Sequence, residues 1–345
     1  MAHIGQENQP ATESPNAALL RMIRGFQVSQ MIYVAAKLGI ADLLANGAKN
    51  IDEIAAATGT HAPSLHRLLR ALASQGIFAE DAEGQFGLTP MAEPLRSDAP
   101  DSLRAVTLYT CDPSFQDVWG ELLHSVQTGE TGFQHLYGMG AWAFRQEHPE
   151  LNAYFNAYMT SLTTIDSAGI AEDYDFSGIE TLVDVGGGQG ALIAAILKAN
   201  PTMRGVVFDQ PHVVAGAENL LAAAGVLDRT EVVGGDFFVD MPEGKDCYIL
   251  KSIIHDWDDD DSIAILKNCR EAIRPDGKLL LFEFVIPPGN SPHPGKQSDI
   301  NMLVAPGGQE RTEAEYRVLL EKAGFRLTRI VPLQSGKSLV EGVVV

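Results

Sequence analysis

The chain has 345 residues, 45% of them hydrophobic and 20% charged, and carries a formal charge of −20 at neutral pH. Such a length and composition are sufficient for about two domains with real cores, and the negative charge argues against nucleic acid or anionic membrane surfaces as partners and for a small ligand. The start, "MAHIGQENQPATESPN", has no basic segment followed by an apolar one, and no run approaches the roughly 20 apolar residues of a membrane span, so a cytoplasmic protein is expected. Cys111, Cys247 and Cys269 are too few and too scattered for a disulfide framework or a cysteine-based zinc site and read as buried thiols.

Residues 1–15 are polar, contain Pro10 and Pro15, and read as a flexible tail. Over 17–38, the apolar residues Leu19, Met22, Ile23, Phe26, Met31, Ile32 and Ala35 cover more than one helical face, which predicts a largely buried helix with a partner surface. Asn50 caps a short helix ended by Gly59. Pro63 and Ser64 open a second helix, which carries Leu65, Leu68, Leu69 and Leu72 on one face and stops at Gly76. Ile77 and Phe78, Gly84, then Phe86 and Leu88 read as a hairpin, which completes a winged helix over 16–105. Arg67 and Arg70 alone make no basic footprint, so the winged helix is expected to serve packing rather than DNA. From 101 to 170 the chain is helical and aromatic (Phe115, Trp119, Phe133, Trp142, Phe144, Tyr154, Phe155, Tyr158), which suits either plain core or the wall of an aromatic ligand's pocket.

Beyond 175 the pattern changes. Apolar runs at 181–185, 205–208, 230–234, 248–252 and 278–284 alternate with helical stretches starting at Ala191, Val213 and Asp260, which predicts an α/β fold with a parallel sheet covered on both faces. A last helix over 313–323 precedes "FRLTRIVPL" and "SLVEGVVV", two strands that read as a closing antiparallel hairpin.

The first of these strands runs into "GGGQG", residues 186–190, and then into a helix, a turn where a ligand can approach backbone N–H groups. Gly186, Gly188 and Ala191 also satisfy a dinucleotide pattern, so NAD remains open on this evidence. Asp209 lies about 20 residues on, where a carboxylate can accept from both ribose hydroxyls of a nucleoside. Asp184 suits a ligand carrying an ammonium and a sulfonium group, which favours S-adenosylmethionine (SAM). Asp236 and Phe237 offer an acceptor and a ring for an adenine, and Lys251 ends the fourth strand.

"SIIHDWDDDDS", residues 252–262, is open to three readings: a metal site, a proton-transfer site or a helix start. It lacks the glycine and glutamate of a calcium loop, and its four aspartates suit the N-terminal end of a helix. His255 follows the fourth strand directly, at the edge where parallel sheets bind ligands.

"LVDVGGGQG", "VVFDQPHVV", "GGDFF", "LKSIIHDW", "FEFVIP" and "GGQERT", in this order and spacing, resemble the SAM-dependent O-methyltransferase family that includes plant caffeic acid and isoflavone enzymes, acetylserotonin O-methyltransferase and bacterial natural-product enzymes. The resemblance spans nearly the whole chain. It implies a Rossmann-like catalytic domain over 106–345, with a seven-stranded, mostly parallel sheet and a helical bridge over 106–175 that walls the acceptor pocket. The N-terminal region is then an all-helical winged-helix dimerisation domain that swaps helices into a homodimer. SAM is the implied methyl donor, with S-adenosylhomocysteine as product, no metal, and a small aromatic or polyketide-like acceptor.

By the same likeness Gly186, Asp209, Asp236, Phe237 and Lys251 contact the cofactor, Trp257 packs near the adenine and Thr163 stands near the methionine carboxylate. Phe155, Met159 and Met302 line the acceptor pocket; these three and Thr163 suit ordinary helix packing equally well. His255 matches the general base, Glu283 and Glu310 the carboxylates beside it, and Asp256 a further acid or a turn-shaping residue. The chemistry is coherent, since a phenol with a pKa near 10 can pass its proton to an imidazole as transfer proceeds. Relative to plant members, the loop "DINMLVAPGGQERT" is one residue shorter before Pro-Gly-Gly, with Val304 and Ala305 in place of bulkier polar groups. An N- or C-methylating member, a member diverted to other SAM-linked chemistry, an NAD-dependent oxidoreductase and a ligand-sensing regulator are the rival readings.

Overall fold

A computed structural model describes residues 13–345. They form two compact units divided between Asp112 and Pro113. This lies beyond the 105/106 division read from the sequence because the helix Arg104–Thr110 packs back on the N-terminal unit, where the Arg104 Nε donates to the Ala36 carbonyl at 3.2 Å.

In the N-terminal unit, most of the expected tail lies outside the described residues. Its end is helical, since the Ser14 side chain caps helix α1, Pro15–Ile23. The single helix expected over 17–38 is two, α1 and α2 (Gly25–Lys37), separated at Arg24. The expectation of burial fails here. No residue of α1 is buried, and Leu19, Met22, Ile23 and Phe26 are 59%, 68%, 61% and 61% exposed, because their stripe is wider than one chain's core can cover.

Helix α3, Ile51–Thr58, opens with a reciprocal Asn50–Glu53 capping box and closes on left-handed Gly59. Helix α4, Ala62–Ala73, starts one position before the expected proline and buries Leu65, Leu69 and Leu72, each such side chain stabilising the unit by roughly 1.5–3 kcal/mol. Strands β1 (Phe78–Glu80) and β2 (Phe86–Leu88) pair antiparallel, so the unit is a winged helix and not all-helical.

The C-terminal unit begins with the aromatic helices and ends that stretch with helix α5, Pro149–Asp166. Its sheet comprises β3 (Thr181–Val185), β4 (Arg204–Asp209), β5 (Thr230–Gly234), β6 (Cys247–Lys251), β7 (Lys278–Glu283), β8 (Phe325–Pro332) and β9 (Ser338–Val344), in the order β5-β4-β3-β6-β7-β9-β8. The first five run parallel, and β9 is antiparallel to both β7 and β8. Alternate residues feed two cores: Val183, Leu250 and Leu281 lie on one face, Leu182, Ile249 and Leu280 on the other. Helices α6 (Ala191–Ala199), α7 (Asp259–Ala272), α8 (Pro294–Val304) and α9 (Glu313–Lys322) connect and cover the strands. The segment "DINMLV", read as loop, is the end of α8.

All three cysteines are free and buried. Among the described residues no helix is long and apolar enough to cross a membrane. The order of the strands reverses at β3, whose neighbours are β4 and β6, and this opens a crevice at the carboxyl ends of the parallel strands.

Candidate active site

The turn after β3 is shaped by backbone. The Gly186 and Gly187 N–H groups both donate to the Phe208 carbonyl, at 2.8 and 3.2 Å, binding the turn to the end of β4. Gly186 has φ 68°, and a Cβ there would run into the Ile253 side chain, so only glycine fits. The Gly188 N–H donates to Asp209 Oδ2 at 2.9 Å, while Asp209 Oδ1 accepts from the Gln210 N–H at 2.7 Å. Asp184 is 1% exposed and its Oδ2 has no hydrogen-bond partner. Burial, reinforced by Asp209, pushes its pKa up to about 7. An orphaned buried carboxylate beside a glycine cradle fits a ligand that brings positive charge, as SAM does.

Asp236 is exposed beyond β5, and its Oδ1 accepts from the Phe238 N–H at 2.9 Å. Phe237 stands edge-on to Trp257 with ring centroids 6.2 Å apart. Lys251 ends β6, but its ammonium turns to Asp166 Oδ2 of α5 at 2.9 Å.

His255 sits on a short 3-10 turn, Ile254–Asp256, and is 8% exposed. Its Nδ1 lies 2.8 Å from Glu310 Oε1, the same oxygen that accepts from the Ser298 hydroxyl at 2.6 Å. The Glu310 N–H in turn donates to Asp299 Oδ1 at 2.9 Å. Glu283 has a different contact set: its Oε1 accepts from the Ile253 and Ile254 N–H groups, both at 3.0 Å, and its Oε2 is 3.5 Å from Nδ1. Asp256 Oδ1 is 3.7 Å from Nε2. Glu310 therefore holds the ring, Glu283 holds the turn, and Nε2 is left as the nitrogen able to exchange a proton.

Burial alone would lower the pKa of His255. Glu283, Glu310 and Asp256 outweigh it and raise the value to about 9. A cationic ligand beside the ring would pull it back down. One donor atom each from His255, Glu283 and Glu310 lie within 4.8 Å of one another, a set that also has the chemistry of a divalent-cation site.

Three supports of this cluster escaped the sequence reading. An added Cβ on Gly308 would overlap the His255 carbonyl, and the neighbouring Gln309 N–H donates to that oxygen at 2.9 Å, so the Gly-Gly turn brings Glu310 to the ring. Arg311 is fully buried and donates to the Ile254 carbonyl at 2.9 Å, the Trp257 carbonyl at 3.0 Å and Asp259 Oδ1 at 2.9 Å. Ser298 and Asp299 come from α8, where nothing in their local pattern marks them. The acidic run starts α7 as expected, with Asp258 accepting from the Asp261 N–H at 2.9 Å.

On the expected acceptor wall, Phe155 meets Trp142 edge-on at 5.8 Å, and Trp142 stacks over Trp257 at 6.1 Å. The Arg145 guanidinium lies 4.3 Å from the Trp142 ring and 4.0 Å from that of Phe155. Thr163 and Met159 are half-buried on α5, and Met302 is buried on α8. The aromatic stretch serves both expectations: Phe115, Phe133 and Phe144 are core, whereas Trp142 and Phe155 continue the ring system of Trp257.

A glycine cradle at the switch point, carboxylates beyond the neighbouring strands and a sheet closed by a reversed β9 define a SAM-dependent methyltransferase. The family follows from comparison: residues 119–326 match the O-methyltransferase domain and residues 20–98 the O-methyltransferase dimerisation domain, and the chain belongs to this O-methyltransferase family. The NAD reading of the glycine pattern is thereby set aside. The chain is similar to the phenazine O-methyltransferase PhzM of Lysobacter antibioticus, with 47% identity over 336 residues, 97% of this chain and 98% of that one. It is also similar to the phenazine-1-carboxylate N-methyltransferase of Pseudomonas aeruginosa, 33% identical over 318 residues, 91% of this chain and 93% of the relative. Among solved structures, the O-methyltransferase from neocarzinostatin biosynthesis in complex with SAM and 2-hydroxy-5-methyl naphthoic acid superposes with a TM-score of 0.80 at 35% identity, covering 94% of this chain and 98% of that one.

Proposed function

We propose that the protein methylates a hydroxyl group on a small, fused-ring aromatic acceptor, with His255 as general base. The observation that carries this reading is the 2.8 Å contact between His255 Nδ1 and Glu310, which fixes the ring and leaves Nε2 to take the hydroxyl proton. SAM, when bound, supplies an already activated methyl group. The chain's own residues orient the partners and hold the proton: Asp184, Gly186, Asp209, Asp236, Phe237, Trp257, Thr163 and the end of β6 at Lys251 for the cofactor, and Phe155, Met159 and Met302 for the acceptor. Glu310 stabilises the imidazolium, while Glu283 and Asp256 add negative charge around it. No metal is required for this chemistry, because the imidazole itself receives the proton. The exposed stripe of Leu19, Met22, Ile23 and Phe26 supports a homodimer formed through the N-terminal unit.

Methylation of nitrogen is the second reading, favoured by the N-methyltransferase relative. A lone pair on nitrogen needs no base before attack, so the buried His255–Glu310 pair favours oxygen. The deciding experiment incubates the protein and labelled SAM with matched fused-ring phenols, aryl amines and aza-arenes, with and without EDTA, and reads the products by mass spectrometry and NMR. O-methyl products that survive EDTA are expected. N-methylation alone, or activity abolished by EDTA and restored by magnesium, overturns the reading.

A further inference from the structure

Two buried lysines share a single aspartate at the end of α5. Asp166 Oδ2 lies 2.9 Å from the Lys251 ammonium and 3.0 Å from that of Lys337, and the three side chains are 14%, 4% and 7% exposed. Lys251 closes β6, and Lys337 immediately precedes β9. One carboxylate cannot neutralise two ammonium groups, and burial, with Lys337 beside it, brings the pKa of Lys251 down to about 8, so the excess positive charge is present near neutrality and shed as pH rises through that value. The faces of Phe282 and Phe284, 5.9 and 5.1 Å from the Lys337 nitrogen, offset only part of it.

The Lys337 ammonium also donates to Ser252 Oγ at 2.6 Å. Among the described residues Ser252 is the one non-glycine with positive φ, at 54°, a conformation that L-residues hold only when their surroundings impose it. It stands directly before Ile253 and Ile254, whose N–H groups Glu283 holds, and so before His255.

We infer that Lys337 is a positioning residue for the transfer: by gripping Ser252 and Asp166 together it locks the His255 turn to α5, and it adds one positive charge beside the acids beneath the base. The inference rests on the reading of His255 as base. The charged and titratable groups around that cluster are Asp256 on the turn, Glu283 on β7, Glu310 after α8, Asp299 on α8, Tyr316 on α9, Arg311 beyond Glu310, Arg145 facing Asp256, and the Lys251–Asp166–Lys337 group. Burial is the largest influence on Asp256, Glu283 and Glu310 and His255 the next, and the field of Lys337 is a smaller one that lowers the proton affinity of each.

Removing the Lys337 charge raises the titration midpoint of His255 to the extent that Lys251, freed of its repulsion, does not regain a proton in its place, whereas removing the Asp166 charge lowers it. The test is NMR titration of histidine-labelled full-length protein, with His255→Gln identifying the resonance, on wild type, Lys337→Met, Lys337→Arg and Asp166→Asn. SAM affinity is measured by calorimetry alongside, and the pH profile of kcat with whichever phenol of the panel is turned over. For Lys337→Met the expectation is a midpoint raised by about half a unit or more. Its kcat should fall about tenfold with SAM affinity held within about threefold, and Lys337→Arg should recover most of both effects.

A midpoint unmoved in Lys337→Met, or moved in the same direction as in Asp166→Asn, overturns the inference. Equal loss of kcat in the Met and Arg variants on an unshifted pH profile also overturns it, since that is a bare packing role. If Lys337→Met does not fold, the downward shift in Asp166→Asn decides alone. An active His255→Gln sinks the base reading, while the NMR shifts still judge the charge coupling.

Discussion

The turn after β3 and the turn after β6 lie at the same edge of the sheet but are built from different material. The first is backbone: three consecutive glycines, two N–H groups bound to the Phe208 carbonyl, and one to Asp209. The second is side chain: a histidine held by a glutamate 55 positions away, with a serine and an aspartate from α8 behind that glutamate. The difference is chemical. The glycine turn sets a backbone path beside the Asp184 and Asp209 carboxylates, whereas moving a proton requires titratable groups, and those must be gathered from distant parts of the chain and buried together to shift their affinities.

The largest break in this comparison is expected at His255. His255→Gln should lose about 10²–10⁴ in kcat while calorimetric SAM affinity stays at the wild-type level; near-normal turnover would remove the base from the second turn. Next comes pH. Because the surrounding carboxylates raise His255 to about 9, the neutral base is scarce at pH 7 in the ligand-free protein, and kcat/KM should climb through the window from 7 to 9. Stability should run the opposite way. A histidine with a raised folded-state pKa stabilises the fold fully below about 6.5, and that contribution is lost as pH rises through about 9. A thermal melt series over that window is thus expected to fall as activity rises, and a flat pair of curves would refute the coupling. The smallest effect belongs to the first turn. Asp209→Ala should weaken SAM binding about tenfold and leave kcat at saturating SAM close to wild type; unchanged affinity would show that the carboxylate does not face the cofactor.

The same contrast explains what could be read in advance. Strands 181–185 and 230–234 appear at the expected residues, and the rest of the sheet within a residue or two, because buried parallel strands announce themselves as short apolar runs between helices. The glycine turn is contiguous, so its pattern survives in one stretch of sequence. His255 was legible from its place just past the fourth strand, but its flanking acids only through a family likeness, since no local spacing links residues 255, 283 and 310. Which glutamate holds the ring was illegible altogether: it depends on Gly308 letting one backbone touch another, a contact that leaves only a doubled glycine in the sequence. Asp166 and Lys337 lie 171 positions apart with no local pattern joining them, and their pairing appears only when the end of α5 meets the residue before β9. In the N-terminal unit the periodicity of 17–38 was right about apolar content, but a hydrophobic stripe does not say whether its cover comes from the same chain, and within one chain Leu19, Met22, Ile23 and Phe26 are uncovered.

The four aspartates after Trp257 are chemically identical but do different work. Asp258 closes the first turn of α7, and Asp259 balances Arg311, a buried cation that also ties down the carbonyls of Ile254 and Trp257 on either side of His255. All four reach solvent, Asp259 with 56% of its side chain exposed. Under random mutation the run should therefore wear unevenly. Positions 260 and 261 are free to drift to any residue that tolerates a helix start, position 258 to other capping residues, and position 259 less freely, since a change there removes the carboxylate paired with the buried Arg311. A stretch that looks like low-complexity acid is in this respect a graded record of what each carboxylate holds.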